Sequence, residues 1–201
     1  MKEYSYWLDT INKDFLIEND VPKKTGVVIV GFGYTGLNAA IEIAKNGRNV
    51  CVIDKNDFGC GCSSKNGGQI SNLLKPSLKK LTKKYGFQKA KLIRGEGVNS
   101  VEWLIDFIKN ENFDCDLKRE GRFHGAHTPV EFKKMVSESN DLKENEGIET
   151  QIIDKSDQKN EINSDLYHGG VVFPQHASLN AAKYHKDLIE KAIGLGVSVI
   201  S

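Results

Sequence analysis

The stretch V27-V-I-V-G-F-G-Y-T-G-L-N-A-A40 decides the fold. Its first four residues are a continuous β-branched run, the composition of a short strand buried on both faces of a parallel sheet. Its end opens a helix: Leu37, Ala40, Ile41 and Ala44 recur at helical spacing, and Asn46-Gly47 supplies a left-handed terminator. V50-C-V-I-D54 then reads as a second buried strand ending in an acid, which makes a β-α-β unit of about thirty residues. G31-F-G-Y-T-G36 stands between the first strand and the helix, where a dinucleotide fingerprint belongs. Gly31 permits the tight turn, Gly33 lets backbone approach a pyrophosphate, and Gly36 lets helix and strand pack closely. With Tyr34 and Thr35 in the turn, the free N–H groups and positive end of the helix would hold the anion. Asp54 would accept hydrogen bonds from the ribose hydroxyls and repel a 2′-phosphate, an exclusion that the adjacent Lys55 tempers.

A second segment, C60-G-C-S-S-K-N-G-G-Q-I-S71, follows directly on that second strand. So much glycine and so little apolar surface make a poor core element, so the segment is either a loose loop or one that a ligand orders. A nicotinamide dinucleotide needs only the first turn, whereas a flavin dinucleotide is longer and needs a second backbone surface near its ring. The run Ser63, Ser64, Lys65, Asn66, Gly67, Gly68 and Gln69 meets that need. It offers hydroxyls and a cation for the pyrophosphate or ribityl chain, and two glycines that let main chain lie against the isoalloxazine edge.

These two segments, with Asp54, resemble the amino-terminal half of the FAD-dependent amine and amino-acid oxidases, the D-amino-acid oxidase superfamily. The Y-T-G-L turn, the N-G-G-Q ending and the pair Tyr6-Trp7 look most like its gamma-glutamylputrescine oxidase-like branch. The resemblance implies that Gly31, Gly33, Gly36 and Asp54 bind the ADP part of FAD. It also implies that Ser63, Ser64, Lys65, Gly67 and Gly68 contact the cofactor nearer the flavin. The family usually has arginine at the position of Lys65, and lysine offers a point charge rather than a bidentate fork. Some relatives that attach flavin covalently carry histidine there, so non-covalent FAD is expected here. Family members also continue well beyond the strand that V197-S-V-I-S201 resembles, so the chain is expected to be an amino-terminal portion, with a missing carboxy-terminal half or a partner chain.

The rest of the chain fits an interrupted sheet. No third strand follows Asp54 promptly. Instead a helical region runs from about 76 to 110, with a stripe of Val98, Val101, Ile105 and Ile108. D116-L-K-R-E-G-R-F-H124 alternates like a half-exposed strand, a polar helix lies near 129 to 145, and short strands are expected at T150-Q-I-I153 and G170-V-V-F173. Ser178 is the expected cap of a helix carrying Ala181, Tyr184, Leu188 and Ala192, and V197-S-V-I-S201 begins the delayed third strand. The expected fold is α/β: a Rossmann-like FAD-binding domain, a β-α-β unit with its G-x-G-x-x-G turn, interrupted by an incomplete α+β substrate domain. The boundaries are an arm at 1–25 with Tyr4, Tyr6, Trp7 and Phe15, a first FAD-binding part at 26–110, a partial substrate domain at 111–175, and a return at 176–201.

Composition narrows the function classes. Charged residues make up 27% of 201 residues with a formal net charge of +1, which gives no general pull toward nucleic acid. The basic run K75-P-S-L-K-K-L-T-K-K84 reads as a solvated helix start. No apolar run approaches the roughly twenty residues of a spanning helix and no signal peptide is evident, so a cytoplasmic protein is expected. Cys60 and Cys62 lie too close together for usual zinc spacing, and no metal site is expected. The substrate class is a small amine or amino acid; Arg122, His124 and Tyr167 are substrate-side candidates, each more often structural, and no catalytic acid or base is assigned. Two alternatives stay open: an NAD-dependent dehydrogenase, which leaves the 63–69 segment without a role, and a non-catalytic dinucleotide-binding piece that needs a partner.

Overall fold

Val27–Val30 form β1, and the chain turns through the glycines into α1, Tyr34–Lys45, then returns as β2, Val50–Ile53. This is a computed structural model that describes residues 5–12 and 20–201; Tyr4 and Phe15 of the expected arm lie outside the described residues. β1 and β2 pair in parallel from Val27 with Val50 to Val30 with Ile53. Gly47, at φ +74°, ends α1 as expected. Burial is less complete than the strand composition predicted. β2 is buried along most of its length, but Val28 and Val30 of β1 are 54% and 82% exposed, because one face of that strand lacks a cover among the described residues.

The third parallel strand, β8 (Ser198–Ile200), lies beside β2 in register Cys51 with Ser198 to Ile53 with Ile200, which gives the order β1-β2-β8. It follows α5, Ala181–Gly194, which packs on α1. Leu37, Ala40 and Ile41 of α1 and Leu188, Ile189 and Ala192 of α5 are fully or nearly fully buried. The cap of α5 is Asn180, not Ser178: the Asn180 side-chain Oδ1 accepts from the N–H groups of Ala182 and Lys183, both at 3.2 Å. Ser178 instead pairs in a strand two residues before the cap, where an extended backbone serves the ladder better than a helix start.

Contacts divide the chain into two compact units. The first comprises Met1–Gly68, Asn112–Leu117 and Leu179–Ser201; the second comprises Gln69–Glu111 and Lys118–Ser178. The helical region 78–110 therefore groups with the second unit, whereas the sequence reading assigned it to the first.

In the second unit β3 (Gln69–Ile70) pairs antiparallel with β7 (Ala177–Ser178). The helices are α2, Leu78–Tyr85, and α3, Phe87–Asn110, with Val101, Ile105 and Ile108 buried along the expected stripe. The basic run lies on α2, where Lys79, Lys80, Lys83 and Lys84 are exposed and Ser77 caps the helix. A second sheet has the antiparallel order β4-β6-β5, from Arg122–Gly125, Gly170–Phe173 and Gln151–Ile153. The long strand expected from Asp116 is confined to β4 and an isolated bridge at Lys118, because Asp116 and Gly121 take positive φ and break the ladder. α4, Pro129–Glu146, covers this sheet through Met135, Ala126, Val171 and Phe173.

His176, 1% exposed, sits in this unit with its ring stacked on Phe173. Its Nε2 lies 2.9 Å from Asn72 Oδ1, an acceptor, so Nε2 carries the proton, and buried Nδ1 has no hydrogen-bond partner. Burial, with the Arg122 charge in support, pushes its pKa down to about 4. The unfolded chain, with histidine near ~6.5, therefore binds more protons between these values. We expect stability to fall as pH drops from about 6.5 toward 4, and the urea midpoint of His176→Gln to vary less over that window than that of the unsubstituted chain.

Candidate functional site

The site begins with what the glycines of the first unit exclude. Gly31 holds φ +97°, and its N–H donates to Ile53 O at 2.7 Å, which ties the turn to the end of β2. A Cβ on Gly36 would fall 1.9 Å from Gly31 O, inside any allowed contact. One on Gly33 would fall 3.1 Å from the Ser63 hydroxyl. The turn is thus as tight as its sequence predicted. α1 starts without a side-chain cap at Gly33, so its positive end is available to an anion.

Asp54 stands just past β2 and accepts from Phe32 N–H through Oδ2 at 3.2 Å and from Asn56 N–H through Oδ1 at 3.1 Å. The carboxylate thereby also fixes the glycine turn, a second duty that spacing alone did not reveal. Each oxygen keeps a further lone pair for a ligand hydroxyl. Two hollows flank it. One of about 180 Å³ is lined by Gly33, Asp54, Asp57, Cys62, Ser63 and His185 among others, and one of about 420 Å³ by Val30, Gly31, Ile53, Asp54 and Lys55.

The 62–68 loop is ordered by its own chemistry. Cys62–Ser64 make one 3-10 turn, and Tyr34 N–H at the start of α1 donates to Ser63 Oγ at 3.1 Å. Asn66 ties the loop together: its amide nitrogen donates to the Cys62 and Ser63 carbonyls, and its oxygen accepts from Gly68 N–H at 2.8 Å. Trp7 Nε1 donates to Asn66 O at 2.7 Å, from a 3-10 turn at Tyr6–Thr10. Gly68, at φ +68°, has a main-chain reason to be glycine, since its Cβ would meet Leu179 O at 2.0 Å. Gly67 faces open space, and Lys65, Thr35 and Lys55 are exposed. Tyr34 donates its hydroxyl to Ala181 O at 3.1 Å, and burial pushes its pKa up, so it stays a neutral donor. Gln69 falls in the second unit, exposed on β3.

The structure adds one residue the sequence reading passed over. His185 of α5 is 3% exposed; its Nδ1 lies 2.7 Å from Ser64 Oγ and its Nε2 2.6 Å from Phe32 O. Its ring stacks on Phe58 at 4.8 Å. The available signal was a polar residue on the apolar face of a helix, between Ala181 and Leu188.

Among the substrate-side candidates, Arg122 and His124 share one face of β4 and line a hollow of about 310 Å³ together with Met135 and Phe173. The Arg122 guanidinium lies over the Phe173 ring, and its Nε is buried without a hydrogen-bond partner. Tyr167 packs against Phe123, His127 and Gly125 and does not line this hollow.

Residues 26–201 match the family described as DAO, FAD dependent oxidoreductase. Over 197 residues the chain is 26% identical to a probable oxidoreductase OrdL of Haemophilus influenzae, covering 97% of this chain and 46% of the relative. Over 168 residues it is 27% identical to gamma-glutamylputrescine oxidoreductase of Escherichia coli, covering 82% and 36%. The chain thus spans about half or less of the length of these curated relatives. Glycine oxidase from Geobacillus kaustophilus shares the fold, with a TM-score of 0.67 at 19% identity over 88% of this chain and 46% of that one.

Proposed function

The chain belongs to the FAD-dependent oxidoreductase family, and on that premise we propose that it carries the FAD-binding part of an enzyme oxidising a carbon–nitrogen bond of an amine or amino acid, of the gamma-glutamylputrescine oxidase type. The observation that carries the reading is the meeting of three features in one unit: the start of α1 with Gly33 in the cap position, the carboxylate of Asp54 and the ordered 62–68 loop. A plain nicotinamide site uses the first two and leaves the third idle.

In this reading Gly31, Gly33, Tyr34, Thr35 and Gly36 hold the pyrophosphate at the helix start, with Ser63 beside it. Asp54 takes the adenosine ribose, and exposed Lys55 adds positive charge nearby. Lys65, Asn66, Gly67 and Gly68 present main chain and a cation toward the flavin, with Gln69 next in sequence, while Ser64 acts from behind because its hydroxyl is turned to His185. FAD, when bound, supplies the hydride acceptor for the carbon next to nitrogen, and the resulting imine is open to hydrolysis. The residues fit that cofactor: a side chain at Gly36 is sterically excluded, and Gly33 in the cap position brings no side chain to the helix end, where the Ser63 hydroxyl takes only the Tyr34 N–H. We assign the FAD-binding role to 26–68 and 179–201. Arg122, His124 and Tyr167 stay candidates on the substrate side, in a protein that works with a further carboxy-terminal half or a partner chain.

The test is the visible spectrum after incubation with excess FAD and desalting. Retained bands near ~450 nm are expected in the chain as it stands. Asp54→Ala should lose most of the colour, with affinity down about 100-fold, since the turn loses its Phe32 anchor as well as the ribose contact. A colourless unsubstituted chain would show that these residues alone do not hold the cofactor. An Asp54→Ala variant as yellow as its parent would remove Asp54 from the site.

A further inference from the structure

Two loops must keep a fixed distance if a pyrophosphate is to sit between them, and they come from parts of the chain about thirty residues apart. Two direct links join them, from Tyr34 N–H to Ser63 Oγ and from the Asn66 side-chain amide to the Tyr34 hydroxyl. Another runs through a third element: Phe32 O, His185 and Ser64 Oγ form a continuous chain of two short hydrogen bonds, at 2.6 and 2.7 Å. We propose that His185 is a positioning residue, a clasp that sets the width of the anion seat between the glycine turn and the 62–66 loop. The proposal rests on the FAD reading above and adds to it a residue outside both loops.

The geometry leaves the imidazole one arrangement. A carbonyl oxygen only accepts, so Nε2 carries the proton and donates to Phe32 O, and Nδ1 accepts from the Ser64 hydroxyl. The ring is neutral in this state, and burial lowers its pKa against the opposing pull of the Phe32 carbonyl and Asp54. The titratable groups around it are Asp54, Asp57 and Cys62 in the adjoining hollow and Tyr34, whose ring meets it edge-on at 5.8 Å.

A purely structural histidine satisfies its nitrogens on whatever surrounds it, and a leucine would pack that helix face as well. Here both nitrogens are spent on the two loops, and none on its own helix. Slack is small, since the Gly33 Cβ position is already 3.1 Å from Ser63 Oγ. Widening the seat would move Ser63 away from Tyr34 N–H and from any anion at the helix start.

The experiment uses the full chain and two variants, His185→Phe and His185→Gln, titrated with FAD by flavin fluorescence at a temperature where circular dichroism shows all three folded. Phenylalanine keeps the stack on Phe58 and removes both hydrogen bonds; glutamine restores one donor and one acceptor. His185→Phe should bind FAD about ten-fold or more weakly, and His185→Gln should recover most of that loss. Long-range ¹H–¹⁵N spectra at pH 7 should show a neutral ring protonated on Nε2, with the Nδ1 signal shifted in Ser64→Ala. Unchanged affinity in His185→Phe, a glutamine variant no better than phenylalanine, or a proton on Nδ1 would each overturn the clasp. If the unsubstituted chain takes up no FAD, these residues alone do not hold the cofactor, and the tautomer with its response to Ser64→Ala decides the clasp by itself.

Discussion

Gly36→Ala is expected to abolish flavin retention. The new methyl carbon would start 1.9 Å from the Gly31 carbonyl oxygen and 3.3 Å from Ile29 Cγ2. The first of these is backbone, so no rotamer relieves the clash. Either α1 moves off the sheet or the turn opens, and in both cases the N–H groups at the helix start no longer point into one seat. Overpacking of this kind costs about 1–3 kcal/mol or more of stability. Its effect on the anion should be larger, at least about 100-fold in affinity or ~2.7 kcal/mol, because every contact at the turn depends on its shape. Absorbance after desalting and a thermal melt on the same sample separate the two effects. A yellow Gly36→Ala protein with its parent's melting temperature would mean that the turn in solution is wider than described.

Glu146→Ala should produce the largest loss of stability in the second unit. Arg94 of α3 and Glu146 at the end of α4 form an ion pair with side chains 6% and 4% exposed. Arg94 also donates through one terminal nitrogen to Leu74 O at 2.7 Å and Pro76 O at 3.2 Å, so one guanidinium joins α3, the end of α4 and the segment before α2. Removing the acid leaves a buried cation with only carbonyl partners, a change that costs about 3–5 kcal/mol. Urea unfolding of Glu146→Ala measures that loss. The double substitution Arg94→Met, Glu146→Leu should recover much of it, because removing both charges also removes their desolvation cost. A single variant within about 1 kcal/mol of its parent would mean that water reaches the pair.

The β-α-β unit was legible because its determinants are local. Four β-branched residues, the helical spacing of Leu37, Ala40 and Ile41, and glycine at the one position where φ is +97° each act within a few residues. The delayed strand at Ser198–Ile200 was legible for the same reason, although its partner is not in its own neighbourhood. What escaped was set by tertiary contact. Ser178 and Asn180 are both good caps on composition, and only the pairing of β7 with β3 decides between them. Val28 and Val30 are as apolar as any core strand, and their exposure depends on what lies over them. His185 looks like an ordinary polar residue in sequence, and its hydrogen bond to Ser64 spans 121 residues. Gly68 was read as room for a flavin; the structure shows a backbone contact with Leu179 that requires glycine in any case.

That contact bears on how the protein is made. β8 emerges from the ribosome roughly ten seconds after β2, at synthesis rates of about 5–20 residues per second. For that time the β2 edge of the β1-β2 pair waits open, while the second unit emerges and can fold. The pairing of β3 with β7, and the Leu179 N–H bond to Gly68 O at 2.9 Å, close the inserted segment at its neck. Once that neck forms, the long interval between β2 and β8 shrinks, for the searching chain, to a short connection, and most of the entropy of closing so large a loop has already been spent. β8 then joins β2 as a nearly local event, with little time for that open edge to find another molecule.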